Sequence, residues 1–214
     1  MCGIAGIFRF ESNTEDLRTR VIRMTANLAH RGPDAWGTYL SRDIALGHAR
    51  LSIVDLSMGH QPMEAEDYVI AYNGEVYNYI ELRQELEQLG VVFTTHSDTE
   101  VVMKAYKVWG KNAFARFNGQ FAFILWDKNN RRLIAARDRY GVRPLFVMKW
   151  KGAWYFASEM KAFDSLPGYR REYDVQHLFE HGLLWNTIGS DTVYRGIQTV
   201  EPGTFEIYAG ADEP

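Results

Sequence analysis

The sequence holds a single cysteine, Cys2, among 214 residues. That excludes an internal disulfide and every metal site built from several thiolates. Long apolar runs are missing as well: stretches such as Phe121 to Trp126 fall far short of the roughly 20 residues that a membrane-crossing helix requires. The N-terminus has no basic segment leading into an apolar one, so no secretory signal is visible. Nor does one charge dominate. Lys and Arg total 24 against 27 Asp and Glu, a net of −3 without blocks of like sign, which leaves no electrostatic footprint for nucleic acid or an acidic membrane. The expectation is a cytoplasmic protein acting on a small polar molecule.

What is present is the balance of a globular protein, with 46% apolar, 14% aromatic and 24% charged residues. A chain this long buries roughly 70% of the surface its unfolded form exposes, enough for stability without a disulfide framework or metal. Residues 2–8 (CGIAGIF) are small and β-branched, with Gly3 and Gly6 where side chains must be absent, and read as a buried strand close to other backbone. Leu17, Val21, Met24 and Leu28 recur at helical spacing, predicting an amphipathic helix over 15–29 that the Arg31-Gly32-Pro33-Asp34 turn ends. Strands are expected at 35–40, 44–50 and 68–73, then a helix marked by Leu82, Leu86 and Leu89 and capped by Gly90. Residues 91–95 (VVFTT) look like another strand, and Asp98 is the expected N-cap of a third helix that stops at Gly110. Consecutive strands at 120–127, 132–137, 145–150 and 153–158 form an antiparallel meander, followed by a short helix at 174–181 and a strand at 204–208. The class is α+β, with helices covering antiparallel sheets.

Cys2 carries the most chemical information. Removal of Met1, usual when the next side chain is small, would leave a thiol and a free α-amine on one residue. An α-amine titrates near 7.7 to 8.0 and a cysteine thiol near 8.5, so the amine can take the thiol proton at little cost near neutral pH. The bland alternative is a small buried hydrophobe. A chain terminus ordinarily frays in solvent, which makes packing alone a poor account of CGIAG.

The segments MCGIAGIF, RGPDAWG, LGHARLSIVDLSMGHQPM, YNGEVYNYIELR, SDTEVV, NGQFAFILWD, ARDRYGVRPLF and FASEMKAF stand, in order and spacing, as in the glutaminase domain of glutamine-dependent asparagine synthetases. Over residues 2–208 the chain resembles this branch of the class II glutamine amidotransferases, which are N-terminal nucleophile hydrolases. The resemblance implies a four-layer αββα sandwich of two antiparallel sheets, formed by residues 1–214 as one domain. It further implies Cys2 as nucleophile, attacking the side-chain amide of glutamine to form a thioester, with the Asn73 amide and the Gly74 N–H as oxyanion hole. Arg50 matches the group that binds the substrate α-carboxylate, for which a planar guanidinium is suited. Glu75 and Asp98 match the carboxylates that hold the α-ammonium, with main chain at Ile53 and Val54 completing the pocket. Gly74 is expected to be glycine so that backbone can approach the substrate. By analogy the segment near Arg31 is a mobile cover, and Arg31-Gly32-Pro33-Asp34 and Arg137-Asp138-Arg139 are ion-paired turns at the rim.

By the same resemblance, glutamine is the substrate and the glutaminase half-reaction needs no cofactor. ATP and Mg belong only to a C-terminal synthetase domain, whose pyrophosphate loop SGGxDS does not occur in these residues. The chain is then either a fragment of a longer enzyme or a free-standing amidotransferase serving a separate ammonia acceptor, with a homodimer as a further expected assembly. The competing reading is a non-catalytic module of the same fold that binds glutamine or acts as a scaffold. His177-Leu178-Phe179-Glu180-His181 fits the H-x-x-E-H pattern of a metallopeptidase helix, but five residues without a third ligand are a weak signal, so no metal is expected.

Overall fold

The computed structural model describes residues 1–9, 14–52 and 59–209. In chain order the elements are β1 (Gly3–Phe8), α1 (Thr14–Ala26), β2 (Ala35–Leu40), β3 (Ile44–Arg50), β4 (Met63–Ala65), β5 (Tyr68–Val76), α2 (Tyr79–Gln88) and α3 (Asp98–Trp109). There follow β6 (Gly119–Asp127), β7 (Arg132–Arg137), β8 (Phe146–Trp150), β9 (Ala153–Ala157), α4 (Val175–Leu184), β10 (Ile197–Thr199) and β11 (Phe205–Tyr208). One antiparallel sheet has the order β10-β8-β9-β1-β3-β2 and the other β11-β7-β6-β5-β4.

The layers follow from strand alternation. Along β6, Phe121, Phe123 and Leu125 face the core under α2 and α3, whereas Ala122, Ile124 and Trp126 face the other sheet. Along β1, Ile4 and Phe8 enter the inter-sheet core while Ala5 and Ile7 pack under α1 with Leu17, Val21, Met24 and Leu28. Both faces of the central strands are therefore dry, which explains why they read as continuous apolar runs. The result is α1, first sheet, second sheet, then α2 and α3: the αββα sandwich.

Three readings need correction. Residues 91–95 are not a strand, because the N–H groups of Thr94 and Thr95 are bonded by the Glu100 carboxylate at 2.7–3.1 Å and need no neighbouring strand. Burial works against the charge of Glu100, but Lys104 and the threonine donors hold its carboxyl down to about 2. Asp98 is not the N-cap of α3. Ser97 is, its hydroxyl accepting from Thr99 N–H at 3.1 Å, and Asp98 is the first helical residue, free to turn inward. Finally, α1 stops at Ala26 and a separate 3₁₀ turn, Ala29–Arg31, carries the chain to Gly32. The three-residue strands β4 and β10 carry too little pattern to be visible in the sequence.

The helix bearing the H-x-x-E-H pattern, α4, has no buried residue. His177 lies 3.3 Å from its helix cap Asp174 and 3.8 Å from Asp191, and no group of three or more His, Cys, Asp or Glu side chains among the described residues is placed to hold a metal ion. No helix among them is long and apolar enough to cross a membrane.

Candidate active site

Strand parity builds the site. Ile4 and Phe8 of β1 and Ile44 and Leu46 of β3 face the inter-sheet core, as do Val69 and Ala71 of β5. Continuing each alternation toward one end of the sandwich brings Cys2, then His48 and Arg50, then Asn73 to the same face. The register Gly3↔Ala49 sets Cys2 beside the end of β3. Where the apolar filling runs out, Cys2, Arg50 and Asn73 line an open pocket, with His48 buried behind them. Cys2, Arg50, Asn73, Gly74, Glu75 and Asp98 all border it, so six of the eight residues named from the sequence converge. Ile53 and Val54 lie outside the described residues.

Each wall has a local cause. The Cys2 sulfur is held on the chain just past β3, accepting from Leu51 N–H at 3.4 Å and donating to Leu51 O at 3.5 Å. Burial pushes its thiol up, and the Leu51 contact and the nearby positive charges of the N-terminus, Arg50 and Arg143 only partly offset that. The balance favours the neutral thiol over the thiolate.

Arg31 was expected in a mobile cover. Its side chain is 8% exposed, with Nε donating to the carbonyl of Cys2 at 2.9 Å and Nη1 paired with Glu159 at 2.8 Å, the ion pair expected of this turn. It is a tether on the residue that bears the thiol. The turn supporting it is pressed onto β3: a Cβ on Gly32 would stand 2.2 Å from Ala49 O, so only glycine fits.

Asn73 and Gly74 lie within β5, which runs to Val76, past the predicted end at residue 73. Asn73 is buried, and its amide nitrogen has no hydrogen-bond partner among the described residues. Gly74 has φ +150°, and a Cβ there would meet Gln120 O of β6 at 2.1 Å. The neighbouring strand thus imposes glycine here, a requirement that stands beside the substrate approach expected from the sequence.

Asp98 turns from the start of α3 toward β5. One of its oxygens accepts from Tyr72 Oη at 2.8 Å and Val76 N–H at 3.1 Å, and Thr99 N–H is a further donor to the carboxylate. Burial pushes its carboxyl up against these bonds, and the same burial, with Asp98 beside it, drives the Tyr72 phenol far above its ordinary range.

The Arg137-Asp138-Arg139 turn is ordered by main chain more than by ion pairs. Arg137 donates to the carbonyls of Arg143, Gly141 and Val200, and Asp138 accepts from the N–H groups of Tyr140, Val142 and Arg143. Arg139 donates to the carbonyls of Phe117 and Ala115. The consequence is to present Arg143, which the sequence reading did not single out, at the pocket wall. Tyr72 was missed too, although it adjoins Asn73; nothing in a linear sequence tells that its hydroxyl reaches α3.

Two facing antiparallel sheets between helices, with a cysteine entering an inner strand, define the N-terminal nucleophile hydrolase fold. A solved glutamine phosphoribosylpyrophosphate amidotransferase from B. subtilis, complexed with ADP and GMP, aligns with a TM-score of 0.65 at 27% identity, covering 81% of this chain and 45% of that one. The allosteric regulatory enzyme of purine biosynthesis aligns over 96% of this chain and 46% of its own, with a TM-score of 0.67 at 23% identity, and shares the fold.

The family described as glutamine amidotransferase domain matches residues 1–213, and the chain belongs to it. Asparagine synthetase [glutamine-hydrolyzing] 1 of Bacillus subtilis (strain 168) is 38% identical over 208 residues, 95% of this chain and 33% of the relative. Asparagine synthetase [glutamine-hydrolyzing] 3 of Arabidopsis thaliana is 42% identical over 166 residues, 76% of this chain and 28% of the relative. The chain thus spans about a third of the length of these curated relatives.

Proposed function

We propose that the chain hydrolyses glutamine to glutamate and ammonia through a thioester on Cys2, and that the ammonia feeds an ATP-dependent amidation of the kind the names of its relatives describe. With Met1 removed, the Cys2 α-amine accepts the thiol proton as sulfur attacks the side-chain carbonyl carbon of glutamine. The negative charge that develops on the amide oxygen is met by the Asn73 amide N–H and the Gly74 N–H. The carbon–nitrogen bond then breaks, and the proton held by the amine leaves with ammonia. Water attacks the thioester, gives its proton to the amine, and the sulfur departs and recovers that proton as glutamate forms.

In this reading Arg50 takes the substrate α-carboxylate, and Glu75 and Asp98 take its α-ammonium, with main chain at Ile53 and Val54 as further contacts. No metal or organic cofactor has a part in these steps. The observation that carries the proposal is the buried, unpartnered Asn73 amide in the same pocket as the Cys2 sulfur. A buried donor left without a partner is costly, and a ligand oxygen arriving in the pocket would satisfy it.

Intact mass and an ammonia-release assay test the reading together. Loss of Met1, turnover of glutamine, and a fall of at least about 10³-fold in Cys2→Ala are expected, since removal of a nucleophile leaves only residual catalysis. Retained Met1 with glutamine bound but not hydrolysed would instead establish the non-catalytic binding module. A glutamine-like diazoketone should add one equivalent at Cys2, more slowly in Arg50→Ala.

A further inference from the structure

His48 has no role in the chemistry above, yet it lies between the two halves of the site. It belongs to β3, two residues before Arg50, is fully buried, and projects from the first sheet toward the second. Its Nε2 lies 2.9 Å from the carbonyl oxygen of Tyr72 in β5. A carbonyl can only accept, so Nε2 carries the proton, and Nδ1 is left buried without a partner among the described residues. A histidine in an inter-sheet core, satisfied at one nitrogen only, costs more than the aliphatic side chain that would fill the space.

The carbonyl it grips is telling. The C=O of Tyr72 and the N–H of Asn73 belong to one rigid peptide plane, so fixing that oxygen fixes the peptide from which Asn73 departs. The same residue is held from two other directions, its N–H donating to Gln61 Oε1 at 2.7 Å and its hydroxyl to Asp98 at 2.8 Å. Only the His48 bond comes from the sheet that carries Cys2.

We propose that His48 is a positioning residue: its Nε2–H, donated across the inter-sheet core to Tyr72 O, sets the distance between the Cys2 sulfur and the Asn73–Gly74 donors. In its effect on catalysis this rests on the reaction proposed above. A displacement of about 1 Å between reacting groups costs on the order of 10²-fold, whereas Arg50 and Asp98, the proposed recognition groups, are not themselves partners in this bond.

His48→Asn, too short to reach Tyr72, and His48→Gln, whose Nε2 mimics that of histidine, separate the possibilities. His48→Asn should lower kcat for glutamine hydrolysis about 10- to 100-fold with KM within about threefold, the split expected when only transition-state geometry suffers. Alkylation of Cys2 by neutral iodoacetamide should proceed at the unaltered rate, and His48→Gln should recover most of kcat. An unchanged kcat in His48→Asn, a parallel loss of alkylation, or failure of glutamine to rescue overturns the proposal. If His48→Asn does not fold, His48→Gln decides alone, kcat near the starting value upholding the tie and a loss as large as that expected of asparagine overturning it. The bond has its own readout in the unaltered protein, whatever its activity: ¹⁵N shifts of the His48 ring should report the Nε2–H tautomer from pH 6 to 8, and an Nδ1–H ring would end the proposal even if glutamine is turned over.

Discussion

At the scale of single residues, the pocket sets opposing demands on Asp98. Its carboxylate is buried, which favours the neutral acid, and only Val76 N–H, Tyr72 Oη and Thr99 N–H favour the charge that the proposed pairing with the substrate α-ammonium would require. In the empty protein an ionised Asp98 therefore weakens the fold at neutral pH, and this penalty is relieved as pH falls and the group protonates. Asp98→Asn retains an oxygen for Tyr72 and Val76. It should leave the melting temperature at pH 7 unchanged or higher while raising KM for glutamine about tenfold or more, the cost of a lost charged hydrogen bond. A lower melting temperature would show that the charge stabilises the fold. Arg50 differs because its planar fork suits a carboxylate: Arg50→Ala should raise KM about 10- to 100-fold, and Arg50→Lys should restore only part of it. Steady-state ammonia release measures both.

At the scale of elements, what the sequence showed and what it hid divide along a physical line. Long periodic segments were legible: α1 by its Leu17, Val21, Met24 and Leu28 stripe, and β6 and β7 by their apolar runs around a turn. VVFTT misled because β-branched residues favour strands, yet among the described residues it pairs with no strand, and a carboxylate from the next helix took the N–H groups of Thr94 and Thr95. The site residues were legible only through resemblance; by residue type alone Arg50 is a surface ion-pair former and Asp98 a helix cap. The capping shift from Asp98 to Ser97 can be tested. Ser97→Ala should cost about 1 kcal/mol in urea unfolding at unchanged m-value, the usual loss of a serine N-cap. At Gly74, an added Cβ would strike the β6 backbone at an unfavourable φ, so Gly74→Ala should destabilise by at least about 2 kcal/mol, measured the same way.

At the scale of the whole molecule, the inter-sheet core is apolar along most of its length and polar at one end, and His48 marks the boundary. Burial, with the like charge of Arg50 nearby, lowers its ring to about 4 from an ordinary 6.5. The unfolded chain takes up this proton first, so the stabilisation is complete above pH 6.5 and is lost as pH falls toward 4, by about 3 kcal/mol in all. His48→Gln has no such titration. Stability curves from pH 7 to 4.5 should therefore fall less steeply in that variant, and parallel curves would show that folding does not shift the titration of His48.

Met1 lies half-exposed on the pocket wall, with Arg31 Nη2 3.8 Å from its sulfur while the same guanidinium grips the next residue's carbonyl. On the proposed reading the newly translated chain carries its own stopper in the cavity. One peptide cleavage would then do two things at once, clearing the space for substrate and creating the base that the sulfur needs. On that reading, a chain that keeps Met1 would be folded yet without glutaminase activity.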